Sequence, residues 1–146
     1  MSEIVKIILA SSLTIIGGVL VFVAGQLVVK FVIEPIQELK KTLAEIHYSL
    51  VFHACPILSS FGKEDWDNTA DILRKLSCDL SARIEAVPLY DRWESLSHKF
   101  LPDKKKAREA SRFLMALSNS MHNQDRSKNG DIVKKIFLLL NFDIDE

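Results

Sequence analysis

The sequence predicts an all-α protein, one N-terminal transmembrane helix followed by a small bundle of four to five helices. Three observations carry this expectation. No charged residue occurs from Ile7 to Val29. Beyond Pro35 the apolar residues recur at alternating steps of three and four, the signature of a helix with one packing stripe. No stretch keeps the period-two alternation of a half-buried strand. The chain accordingly divides into an anchor, residues 1–34, and a helical domain, residues 35–146. With only 5 Gly and 4 Pro in 146 residues, neither a turn-rich β fold nor a Gly/Pro-rich disordered chain is favoured.

The uncharged run spans roughly 34 Å as a helix at about 1.5 Å per residue, enough for a hydrocarbon core of about 30 Å. Lipid offers no hydrogen bonds to the backbone, so helix is the state that satisfies it. Val23-Ala24-Gly25 has the small residues of a signal cleavage site. The apolar character nevertheless continues through Phe31, Val32 and Ile33, and the N-terminal flank offers only Lys6 and the terminal amine. A retained anchor is therefore expected rather than a cleaved signal. Lys30, Lys40 and Lys41 follow the run against Lys6 before it, which places the domain in the cytoplasm. Ser11, Gly18 and Gly25 stand seven apart, and Ala10, Thr14 and Gly18 are spaced by four. Small residues allow close backbone approach between membrane helices, so Ser11, Thr14, Gly18 and Gly25 form a candidate helix–helix interface.

Ile36, Leu39, Leu43, Ile46, Leu50 and His53 define the first stripe of the domain. A bend or short break is expected at Pro35, and the helix should stop at or just before Cys55 because Pro56 follows. The same spacing continues backwards through Val32, Val29, Gly25, Phe22, Gly18 and Ile15 to Ser11, predicting one seam from Ser11 to His53. Its domain half either packs on the protein's own helices or pairs with another copy.

After a loop with Ser59, Ser60 and Gly62, a second helix is expected near Lys63 or Glu64. Acidic Glu64, Asp65 and Asp67 suit its N-terminal dipole. Ile72, Leu73, Leu76, Leu80 and Ile84 supply its stripe, and Pro88 ends it. A short segment from Tyr90 to Phe100 carries Trp93, Leu96 and Phe100 at helical spacing, and Pro102 closes it. Asp103 then caps a further helix with Ala107, Ala110, Phe113, Leu114 and Leu117 on its buried face. The two small Ala predict a close helix crossing. Asn123 to Gly130 is polar and ends in the turn signal Asn129-Gly130. Asp131 is expected to cap the last helix, Ile132 to about Phe142. That helix is too short to cross a bilayer and reads as the core helix that closes the bundle. Asp143, Asp145 and Glu146 form an acidic tail.

Formal net charge is zero, and Glu34 to Glu146 holds one more acidic than basic residue. No basic field is available to nucleic acid. Cys55 and Cys78 form no CxxC pair and read as small, buried, reduced thiols. His47 and His53 are six apart and fall on different helix faces, so no metal pair is expected. Ser118, Asn119, Ser120, His122 and Asn123 cluster at a helix end, where such residues cap and turn the chain. No catalytic constellation, cofactor site or small-molecule substrate emerges, and a non-enzymatic role is expected. Lys99, Lys104, Lys105, Lys106, Arg108 and Arg112 are offset locally by Asp103 and Glu109. They read as a solvated face, with Lys104, Lys105, Lys106 and Arg108 the candidate contacts to an anionic surface.

Three segments carry a resemblance: Glu34-Pro35-Ile36-Gln37-Glu38-Leu39-Lys40-Lys41, Ala86-Val87-Pro88-Leu89-Tyr90, and the stretch from Ala110 through Ser111-Arg112-Phe113-Leu114 to Ser120. Together they resemble a loose group of small uncharacterised bacterial single-pass membrane proteins with a helical cytoplasmic domain. The resemblance implies a bacterial inner-membrane setting and assigns no functional residue. The expected role is a membrane-anchored interaction protein whose partners are the bilayer and either a homo-oligomer or another membrane protein. The alternative is an oligomeric pore-forming or membrane-disrupting effector in bacterial defence or toxicity, suggested by polar Ser11, Ser12, Thr14 and Gln26 in the anchor.

Overall fold

The computed structural model describes residues 3–58, 66–96, 101–121 and 128–142, and within them no strand occurs. Helix α1, Glu3–Val28, carries no charge beyond Lys6, is apolar apart from Ser11, Ser12, Thr14 and Gln26, and buries no residue. One π turn, Val29–Ile33, follows, and α2 continues as Glu34–Phe52. No break separates them: Glu3 to Phe52 is one continuous helix, long and apolar enough to cross a membrane. The remaining helices are α3 (Ala54–Leu58), α4 (Trp66–Ala86), α5 (Tyr90–Leu96), α6 (Lys104–Ser120) and α7 (Asn129–Leu140). The expected starts at Lys63 or Glu64 and the expected end at Phe100 lie outside the described residues.

The break that was one of the two expectations at Pro35 is absent. Val28 and Ile33 keep right-handed helical dihedrals, and the Glu34 N–H reaches back to the carbonyl of Val29. A proline in a helix crowds the carbonyl four residues before it and has no N–H to offer it. The π turn widens the helix immediately upstream, so the chain passes Pro35 without interrupting the helix. It also inserts one residue into the α-helical repeat. Everything beyond it is turned by about 100° relative to α1, so the seam projected from Ser11 to His53 is split between two faces.

The domain half of that seam is the core stripe of α2. Leu39, Ile46 and Leu50 are buried against α4 and α7, with Ile36 and Leu43 half-buried. Between the two readings open at the outset, the structure therefore places this stripe on the protein's own helices. The end predicted near Cys55 is only a brief pause. His53 leaves α-helical geometry, and α3 carries Pro56 within its single turn, where a missing backbone N–H costs nothing.

Helices α2, α4, α6 and α7 alternate in direction. Arg83 at the end of α4 meets Glu38 at the start of α2 at 3.0 Å. Ser77 and Ser118 donate to the carbonyls of Ser111 and Ala70 across the α4/α6 pair, both at 2.7 Å. Ala107 and Ala110 are fully buried there, and these small side chains permit the close crossing that the sequence anticipates. Phe113 is half-buried rather than central, under Lys135 of α7. Asp103 caps α6 as expected, accepting from the N–H groups of Lys105 and Lys106 at 2.7 and 3.1 Å.

Helix α7 starts earlier than its sequence suggests. Asn129 lies in its first turn and is buried, and Asp131 is exposed and does not cap it. The amide of Asn129 donates to the Ile57 carbonyl at 2.9 Å and accepts from Ser120 Oγ at 2.7 Å. One side chain thus ties α3, α6 and α7 together. Asn141 ends α7 in the left-handed conformation, with the Phe142 N–H returning to the Phe137 carbonyl at 3.0 Å, a C-cap in which asparagine is tolerated.

Candidate interaction surfaces

Helix α2 is apolar on two sides. Opposite its core stripe, Ala44, Tyr48, Val51 and Phe52 face outward, and Cys55 and Leu58 of α3 continue the row. Tyr48, Val51 and Phe52 are 61%, 57% and 65% exposed. The rings of Tyr48 and Phe52 stack at 5.3 Å, and Phe52 lies edge-on to His53 at 4.9 Å. Packing two aromatic rings against each other while leaving both in water retains a large apolar surface at a fixed place. His47 borders this face and packs beside Phe137 and Phe142. The His53 ring pairs with the Ser49 carbonyl at 3.1 Å. These contacts give both histidines structural surroundings, and no group of three His, Cys, Asp or Glu converges among the described residues.

The anchor residues singled out from sequence are all exposed. A Cβ on Gly17, Gly18 or Gly25 would meet nothing within 4 Å. The hydroxyls of Ser11, Ser12 and Thr14 each donate to the carbonyl four residues earlier, at 2.8, 2.8 and 3.0 Å, so each is satisfied within its own helix. Because of the π turn, the row Ser11, Gly18 and Gly25 projects toward the side occupied further along by Ala44, Tyr48 and Val51.

The basic cluster sits at the opposite end of the domain from Tyr48. Antiparallel packing brings the start of α6 level with the start of α2. Arg108 pairs with Glu85, and the hydrogen-bonded guanidinium holds the Glu85 carboxyl below the usual range. Lys104 lies over the Tyr90 ring at 5.7 Å, while Lys105 and Lys106 are exposed. An open hollow of about 470 Å³ there sets Asp91, Glu94 and Asp103 against Lys104, Lys105 and Arg108. Its charges balance, so it selects no ion of one sign. The Tyr90 hydroxyl is buried and donates to the Pro102 carbonyl at 2.9 Å. Burial, followed by the charges of Glu94 and Asp103, pushes its pKa far up, which keeps it a neutral donor. Leu89, just before it, is exposed with φ of 54°, an uncommon conformation for a leucine.

Asp103 supplies a pH prediction. Its carboxyl is held below the usual value chiefly by the backbone bond from Lys106. A folded-state pKa below the unfolded one gives stability that is present above the unfolded value, about 3.9, and is lost as pH falls. Asp103→Ala should cost about 1 kcal/mol at neutral pH, as N-cap removal does. The gap to the unsubstituted protein should close as pH drops below about 4. Urea unfolding at pH 7 and pH 3 checks this, and an equal loss at both would contradict it.

The polar cluster at the end of α6 is structural where described. The Ser118 hydroxyl donates to a backbone carbonyl, that of Ser120 serves Asn129, and Asn119 accepts from Arg74 at 3.3 Å. His122 and Asn123 lie outside the described residues. Both cysteines are exposed and no disulfide joins them, which corrects the expectation that they are buried. Cys55 follows the outward row of α2, and Cys78 lies on the outer side of α4, next to buried Ser77. The apolar outward face of α2 is masked in the sequence by the stronger stripe on the other side of the helix. Its trace is the spacing Ala44, Tyr48, Val51, Cys55 interleaved with Leu43, Ile46 and Leu50.

Comparison with models of protein families, with curated proteins and with solved structures found no match to the chain.

Proposed function

We propose that the chain is a non-enzymatic interaction protein of the bacterial inner membrane. It would be held by its N-terminal helix, with the bundle on the cytoplasmic side and the outward face of α2 as its docking surface. The observation that carries this reading is the unbroken passage of an apolar helix into the core of the bundle. An anchor joined by a flexible linker would leave the domain free to tumble. Here the anchor helix runs without a break into the core element α2, so its direction would fix that of the domain. With the end of α4 beside the start of α2, where Arg83 meets Glu38, Leu89, Lys104, Lys105 and Lys106 would face the lipid and Tyr48 and Phe52 would stand away from it. An oligomeric pore would ring the same anchors around Ser11, Ser12 and Thr14. Their hydroxyls are already bonded within the helix, which gives that alternative no separate support.

The test uses the full-length protein expressed in bacteria. It should remain in the membrane pellet after alkaline carbonate and enter solution only with detergent. A membrane-impermeant maleimide should label exposed Cys78 in broken but not intact cells. Release by carbonate would sink the anchor, and labelling in intact cells would reverse the topology.

A further inference from the structure

We propose that the outward face of α2 is covered by a second copy of this chain, parallel to the first and anchored in the same membrane. The inference rests on the anchored reading above and names the partner of that docking surface. Tyr48, Val51 and Phe52 would form its centre, with the Gly18–Gly25 side of α1 packing below them.

Height excludes lipid as the occupant. Along a straight helix, Tyr48 stands roughly 28 Å beyond Val29 at about 1.5 Å per residue. The headgroup layer adds only about 5–8 Å to each side of the hydrocarbon. Area argues for a partner that also has an anchor. The exposed row from Ala44 to Leu58 amounts to on the order of 500 Å², short of the about 800 Å² per partner buried in a specific complex. A second copy makes up the difference, because the π turn turns the small-residue side of α1 toward the direction of Tyr48 and Val51. In the membrane, a surface without Cβ atoms on Gly18 and Gly25 allows the close approach that packing there requires. Anchoring also holds two copies parallel and at one height, so each apolar row meets its own counterpart.

Charge agrees with this arrangement. With Ala44, Tyr48, Val51 and Cys55 as the seam, Lys40 and Glu45 fall on its two opposite flanks. In a parallel pair, flanking residues five apart meet across the seam, so Lys40 of each copy faces Glu45 of the other. Gln37 and Lys41, on the same side nearer the membrane, are polar, a feature that sets register at some cost in stability.

The experiment uses the intact protein in phosphatidylethanolamine–phosphatidylglycerol vesicles with a short bismaleimide. Crosslinked dimer should form through Cys55, disappear in Cys55→Ser and persist in Cys78→Ser. The double change Tyr48→Glu and Phe52→Glu alters exposed residues only, which circular dichroism can verify. It should lower the dimer fraction at least tenfold, while Leu138→Glu, on the exposed side of α7, should not. Deleting Val32 restores a plain α-helix and turns α1 by about 100° against α2, and should weaken pairing comparably. Crosslinking through Cys78 as fast as through Cys55, or a dimer indifferent to the Tyr48 and Phe52 changes, overturns the proposal. Dimer unchanged by the deletion overturns the shared face. Carbonate extraction of the same vesicles separates the two readings: monomers that stay in the membrane refute the pairing and leave the anchor intact.

Discussion

Leu114→Ala should remove about 2–5 kcal/mol from the stability of the domain, the range for deleting a buried leucine side chain without full collapse of the cavity. Leu114 is fully buried on α6, the helix that packs against both α4 and α7. Its neighbours leave little room to relax. Ala107 and Ala110 already bring the backbones of α4 and α6 close, and the bonds at Ser111 and Ser118 pin them on either side of Leu114. A cavity at Leu114 therefore stays largely open. Domains of this size have about 5–15 kcal/mol in total, so the loss could consume much of it. Leu114→Met, which nearly conserves volume, should cost less than about 1.5 kcal/mol. Urea unfolding of the full-length protein in mild micelles, followed by the tryptophan fluorescence of Trp66 and Trp93, measures both. A Leu114→Ala midpoint no lower than that of Leu114→Met would mean that α6 does not lie at the centre of the core.

Much of this architecture was legible because it depends on one-dimensional signals. The core stripes of α2, α4 and α6 follow directly from apolar spacing, and Asp103 announced its cap as an N-cap residue type directly after a proline. What was not legible depends on backbone geometry that spacing assumes. The seam from Ser11 to His53 counts every residue as one α-helical step. A single π turn breaks the count, and only coordinates show where the extra residue is absorbed. The expected break at Pro35 failed for the same reason, since the π turn relieves the crowding that would have interrupted the helix. Asn129 misled differently. Asn-Gly favours a turn on local grounds, but a carbonyl of Ile57, distant in sequence, gives the side chain a partner that keeps it inside a helix. The cysteines show the weakness of residue-type averages. Cys55 belongs to an outward row whose exposure is set by the helices that pack on the other side of α2. Candidate surfaces were legible only as composition: the small residues of the anchor and the lysines of α6 could be named, but not the face to which each belongs.

Asn129→Asp should be the most damaging single-atom exchange in the domain at neutral pH, at about 3–5 kcal/mol, the cost of a buried charge left without its partner. The amide nitrogen that donates to the Ile57 carbonyl would become a second carboxylate oxygen facing an acceptor. Ser120 could still donate to one oxygen, which is too little to compensate for burial. The sign of the pH effect distinguishes this charge from that of Asp103. Burial and the facing carbonyl raise the folded-state pKa of the new carboxyl above its unfolded value, about 3.9. The folded protein then binds more protons than the unfolded one between the two values, so its stability rises as pH falls through that window. Protonation also recreates a donor to the Ile57 carbonyl. Asn129→Leu, which removes the donor without adding charge, should cost about 1–3 kcal/mol and show no such recovery. The consequence extends to the outward face, because Asn129 holds α3, and α3 carries Cys55 and Leu58. Asn129→Asp should lose crosslinking through Cys55 at pH 7.5 and regain part of its folded stability at pH 5, measured by urea unfolding. A variant whose stability falls in parallel with the unsubstituted protein over that range would show that this side chain is in contact with water and does not hold α3 in place.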